Sequence, residues 1–154
     1  MEIYQFINVC LVVEHAAAAI YSHFMQLFPP EKDFWEDLFK DEKKHISFLI
    51  EAADHGQFEE MNPEDLGFSM RLLDRTRKFA EDISDRIKFN PVSLEDALKM
   101  ALKLEETMVE TFTNELIANL SAADDNFLEM FAEGKNHVDK IRNMMINKGF
   151  LKLS

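Results

Sequence analysis

The sequence holds a single cysteine, Cys10. That excludes an intrachain disulfide and any four-cysteine zinc or iron site within these residues, and it fits a reducing, intracellular setting. Glycine and proline are scarce, four of each in 154 residues, while Leu, Ala, Met, Glu and Lys abound, a balance that favours helix over sheet. Basic residues are outnumbered, 17 Lys and Arg against 29 Asp and Glu for a net charge of −12. This argues against nucleic acid as a partner, because polyanion binding draws on clustered Lys and Arg to displace counterions. No basic start with a small-residue cleavage site opens the chain, and no apolar run approaches the ~20 residues of a membrane span. The expectation is a cytoplasmic protein with no membrane partner. With 47% hydrophobic and 30% charged residues, residues 1–154 are read as one all-α domain with a real core.

Helical periodicity divides the chain into two hairpins. The row Ile3, Ile7, Leu11, Glu14, Ala18, Tyr21, Met25, Phe28 marks helix 1, about 2–28, and Pro29-Pro30 stops it. Helix 2, about 31–54, carries Trp35, Leu38, Glu42, His45 and Leu49 on one face and ends near Asp54-His55-Gly56. So short a join makes the two antiparallel neighbours. Residues 56–92 form a long crossover: punctuation at Gly56, Asn62-Pro63 and Gly67, then a helix at about 69–89 closed by Asn90-Pro91. A connection of that length can carry the chain from one end of a bundle to the other. Ser93-Leu94-Glu95-Asp96 reads as a capping arrangement. It opens helix 3, about 93–120, with Leu94, Leu98, Leu102, Glu105, Val109, Phe112, Leu116 and Leu120 in a row. Helix 4, about 122–148, starts at Ser121–Asp124, shows Phe127, Met130, Gly134, His137, Ile141 and Met144, and ends at Gly149.

Each hairpin is built as glutamate then histidine. Glu14 precedes His45 by 31 residues and Glu105 precedes His137 by 32, and each glutamate has an aromatic seven residues on, Tyr21 and Phe112. Glu42 and His45, three apart, share a helix face. Carboxylates and imidazoles on apolar rows need partners, because buried ionised groups are costly unless paired, hydrogen-bonded or metal-bound. Taken singly, Glu14 or Glu105 reads as a partly buried glutamate meeting an Arg or a water, and Glu42 with His45 as an ordinary helix pair. Together they make the mixture a dinuclear carboxylate centre needs: carboxylates to offset and bridge two divalent ions, imidazoles to cap them.

On these residues the chain resembles the ferritin-like superfamily, and among it the di-iron domain of rubrerythrins. The resemblance covers nearly the whole length. It implies a four-helix bundle with a long, partly helical crossover between helices 2 and 3, two iron ions (or iron mixed with zinc or manganese), oxidoreductase chemistry of peroxidase or ferroxidase type, and a homodimer. Carried over residue by residue, it makes Glu105 the bridge, Glu14 a cap on one metal, Glu42 a bridge or cap, and His45 and His137 terminal ligands. Tyr21 reads as core packing, though a tyrosine so placed can hydrogen-bond a ligating glutamate in such a site.

The chain departs from that pattern at helix 4. Three residues before His137 stands Gly134, not glutamate, and the neighbouring carboxylate is Glu133, about 40° round the helix from His137. Glu133 is therefore a conditional ligand. Gly134 itself reads as close helix packing or a kink, as an opened coordination position, or as decay of the site. The extra helix-3 glutamate typical of rubrerythrins is replaced by Met108, and the four-cysteine rubredoxin module is missing from these residues, so an electron donor would be a separate protein. The competing functional readings are a non-redox helical interaction module, with Lys135 as the nearest basic partner for the carboxylates, and an iron-storage subunit. His15, His23 and His55 read as surface or boundary residues, Cys10 as a small buried hydrophobe, and Glu59-Glu60 with Glu64-Asp65 as solvated loop.

Overall fold

The computed structural model describes residues 3–56, 58–59, 67–111 and 125–152. Among them are five α-helices and no strand: α1 (Ile3–Leu27), α2 (Lys32–Asp54), α3 (Gly67–Phe89), α4 (Leu94–Thr111) and α5 (Asp125–Asn147), with a short 3-10 turn at Pro29–Glu31. The all-α expectation holds. Residues 112–124 lie outside the described ones, and with them Phe112, Leu116, Leu120 and the expected helix start at Ser121–Asp124. So do Asn62-Pro63, Glu60, Glu64 and Asp65, and the side chains of Phe127 and Met130.

Local chemistry sets the described boundaries. Pro29 and Pro30 lack the amide hydrogens that would extend α1, and the chain takes a 3-10 turn there. Gly56, φ +68°, ends α2, and Gly149, φ +79°, follows α5. Both occupy the left-handed region that closes helices with little cost only for glycine. At the start of α4 the Ser93 hydroxyl accepts the Asp96 amide at 3.1 Å, satisfying one of the orphan amides of the first turn.

Side-chain pairs fix the directions of the helices. Along α1 and α2, Tyr21 stacks on Trp35 and Phe24 packs against it at a tilt, with ring centroids 6.0 and 4.8 Å away, while Glu14 meets His45; the two run antiparallel. Along α4 and α5, Glu105 meets His137 and Glu106 meets Arg142, while Val109 faces Gly134. Between α2 and α5, Asp37 pairs with Lys140, Asp41 with His137 and Lys44 with Glu133. The crossover helix α3 packs on α1 and α4, and so ties the two hairpins together from outside.

The inward row read for α2 is buried throughout, from Trp35 to Leu49. The row of α4 is rotated from the expected one: Ala97, Ala101, Leu104 and Met108 are buried beside Leu98 and Glu105, whereas Leu94, Leu102 and Val109 are only half-buried. The reason is that α4 packs on α3 as well as α5, so it buries two faces rather than one stripe. Cys10 is 2% exposed and belongs to the core; burial pushes its thiol well above the ordinary range. A correction concerns α1. Tyr4–Leu27 is long and apolar enough to cross a bilayer by length and composition, contrary to the sequence reading, but half of that stretch is buried inside this fold. Its apolar character is that of a core helix packed on α2 and α3.

Candidate metal centre

Four helices deliver the five principal residues to one place. Glu14 comes from α1, Glu42 and His45 from α2, Glu105 from α4 and His137 from α5, and none is more than 4% exposed. Their ligand atoms form two groups, Glu14–Glu42–His45 and Glu42–Glu105–His137, with all atoms of each group within 4.8 Å of one another. Glu42 belongs to both. Its Oε2 lies 3.6 Å from His45 Nδ1 and its Oε1 3.7 Å from His137 Nδ1, so each of its oxygens faces one histidine.

The two imidazoles are held alike from outside. His137 Nε2 is 2.8 Å from Asp41 Oδ2, and His45 Nε2 is 2.6 Å from Glu133 Oε2. An ionised carboxylate only accepts, so Nε2–H donates in both. Each brace comes from the helix bearing the other histidine: Asp41 of α2 holds His137 of α5, and Glu133 of α5 holds His45 of α2. In the neutral ring this fixes the tautomer whose Nδ1 lone pair points inward. That lone pair faces Glu14 Oε2 at 3.7 Å for His45 and Glu105 Oε1 at 3.3 Å for His137.

A lone pair aimed at carboxylate oxygens is repulsive until a proton or a cation lies between them. Without a metal the protons fill that role. Burial disfavours a charged His137, yet Asp41 and Glu105 outweigh it and raise its pKa to about 10. His45 is likewise raised, with burial opposed by Glu14 and Glu133. Glu42 is pushed well above the usual carboxyl range, first by burial and then by the charges of Glu14 and Glu105. Glu105 moves the other way, because His137 and Tyr21 overcome its burial. Tyr21 is buried in the core, and it also donates its hydroxyl to Glu105 Oε1 at 2.5 Å.

Protons do not satisfy the whole cluster. Both oxygens of Glu14, both of Glu42 and Nδ1 of His137 are buried with no hydrogen-bond partner. Leaving such groups unpaired costs on the order of 1–3 kcal/mol each. The donor set, three carboxylates and two imidazoles turned toward one small space, fits divalent transition metals.

Glu133, the conditional ligand, lies elsewhere. It stands on the outer side of His45 and its other oxygen accepts from Lys44 Nζ at 2.8 Å, with Lys44 also bound to Glu129. Its place near the edge of the inward face and the cation opposite turn it toward the surface, and its carboxyl stays below the usual range because Lys44 and His45 outweigh partial burial. Gly134 packs against α4: a Cβ there would sit 3.1 Å from Val109 Cγ2. Lys135 is exposed on the far side of α5. His15 and His55 are exposed and His23 half-buried, off the cluster.

Sequence reasoning missed Asp41 and the bracing role of Glu133. A signal existed, since each is a carboxylate four residues before a candidate histidine, one turn away on the same helix face. What the pattern of a single helix could not carry is that each braces the histidine of the opposite helix. Compared with known proteins, the chain matches no protein-family model, no curated protein and no solved structure.

Proposed function

We propose that this protein is a ferritin-like, rubrerythrin-type protein whose buried cluster holds two divalent metal ions, iron foremost, and reacts with dioxygen or peroxide. The observation that carries this is the set of buried, unpartnered oxygens of Glu14 and Glu42, arranged in two ligand groups that share Glu42. Two antiparallel hairpins joined by a helical crossover support the four-helix-bundle reading.

The residues divide the work. Glu42 faces both groups and is better placed to bridge than Glu105, to which the family resemblance gives that role. Glu14 with His45, and Glu105 with His137, complete the two sides. Asp41 and Glu133 orient the imidazoles and raise their basicity, the usual task of outer carboxylates at metal-bound histidines. Tyr21 holds Glu105 through Oε1, the same oxygen that faces His137 Nδ1. A bound metal pair would supply the electrons for reducing the oxidant, and an electron donor would be a separate protein.

Three carboxylates carry less negative charge than two divalent ions carry positive, so the loaded cluster favours one further anion or a hydroxide from solvent. The test is anaerobic loading with ferrous iron, desalting, and exposure to peroxide or air. A new near-ultraviolet charge-transfer absorption that needs both retained iron and oxidant is expected. Retained iron without an oxidant response would instead make the centre a non-redox metal site.

A further inference from the structure

The two hairpins correspond at several cluster residues and differ at one pair of positions beside them. Counted from each first glutamate and each histidine, Glu14 corresponds to Glu105, His45 to His137 and Asp41 to Glu133. At the same offsets the first hairpin has Ala18 and Glu42, where the second has Val109 and Gly134. Bulk has changed sides. A small residue on α1 accompanies the glutamate of α2, and a branched residue on α4 accompanies the glycine of α5, with Val109 Cγ2 already 3.1 Å from where any Cβ at 134 would lie. Gly134 is thus not an empty coordination position, because Val109 packs against it.

Exposure changes with it. Ala18 and Glu42 are buried, at 2% and 0%, while Val109 and Gly134 are both half-exposed. A surface cleft of ≈ 260 Å³ opens between α4 and α5, lined by Glu106, Val109, Lys135, Val138, Asp139 and Arg142. Of its lining residues, Val109 is one turn from Glu105 on α4, and Val138 follows His137 in the sequence of α5. The rim carries two cations and two carboxylates, with Arg142 bonded to Glu106 at 2.9 Å, so it presents no net charge to select an ion.

Resting on the metal-centre reading above, we propose that this cleft is the port through which a small uncharged ligand, of the size of dioxygen or hydrogen peroxide, reaches the Glu42–Glu105–His137 side of the cluster. Val109 is its floor and the residue that sets its width. The exchange of Glu42 and Ala18 for Gly134 and Val109 thereby makes one side of the centre a closed ligand wall and the other an approach.

Nitric oxide, a neutral diatomic, is the probe, mixed in stopped flow with anaerobic ferrous-loaded protein while the visible nitrosyl absorption is followed. Val109→Trp should slow the combination by at least about fivefold with iron content unchanged, because a close-packed wall has no spare space for a second route. Val109→Ala should speed it, and Ile50→Trp, an exposed site on α2, should leave it as it was. If both Val109 variants keep their iron and combine at the wild-type rate, the port is wrong while the metal centre stands. If the wild-type protein retains no iron, the metal-centre reading fails and the port with it.

Discussion

The α1–α2 and α4–α5 hairpins each hold a first glutamate, a histidine and an outer carboxylate four residues before it, yet only one supplies a carboxylate common to both groups. In α2 the residue three before the histidine is Glu42, fully buried with both oxygens unpartnered. In α5 it is Gly134, half-exposed and packed on Val109. A repeated scaffold can therefore keep its orienting contacts while only one copy carries the inner carboxylate, the space beside the other's glycine being filled from the facing helix. The cluster is left asymmetric, and the asymmetry is what the following substitutions probe.

The largest effect belongs to the one residue both groups share. Glu42→Gln preserves shape and removes the charge, and it should reduce metal retention from about two ions per chain to background in an equilibrium-dialysis measurement. The metal-free protein should fold at least as well as wild type, since burial and two neighbouring carboxylates disfavour a charge on Glu42. Next come the histidines. His45→Ala and His137→Ala should each leave about one retained ion, and equal losses would show that the two sides are independent once Glu42 is intact.

The outer carboxylates should matter less, and equally. Asp41→Ala and Glu133→Ala should each weaken metal affinity by about 10–100-fold, measured by competition with a chelator, despite their different residue types. A Glu133 loss as large as that of Glu42 would return Glu133 to the role of ligand.

How legible the molecule was from its residues follows the same division. The helix periods of α2 and the punctuation at Pro29-Pro30, Gly56 and Gly149 are local, so they could be read directly. Glu14, Glu42, His45, Glu105 and His137 could be read because each interrupts an apolar row. The face of α4 was misjudged because it packs on α3 as well as on α5, and the period of one helix does not show how many neighbours it has. The cross-bracing by Asp41 and Glu133 was out of reach for the same reason, since helix periodicity fixes which side a residue faces and not which helix stands opposite. Gly134 kept three readings until Val109 was found within contact distance of its missing side chain.

Acidity separates the empty from the loaded protein. In the metal-free fold the His137 pKa is about 10, against ~6.5 in an unfolded chain. The raised folded value means its contribution to stability is complete below about pH 6.5 and lost as pH rises toward 10. Glu42, also raised, acts in the same direction as pH climbs above the carboxyl range. The melting temperature of metal-free protein should therefore fall across that alkaline window, whereas metal affinity should rise with pH, because the ion competes with the protons on the imidazoles.

The smallest effect is expected at the exchanged pair. Gly134→Ala gains helix propensity of roughly 1 kcal/mol but crowds Val109, so in the wild-type background its change in unfolding free energy should be near zero. In a Val109→Ala background the same substitution should stabilise by close to the full propensity gain. Equal effects in both backgrounds would remove the packing contact as the reason for glycine.

The most direct test of the account is the number of divalent ions bound per chain, from anaerobic ferrous titration of the wild-type protein and of Glu42→Gln, with bound iron counted after desalting. The account predicts about two ions in the wild type and none in the variant. Two ions retained by both proteins, or none by either, would contradict it.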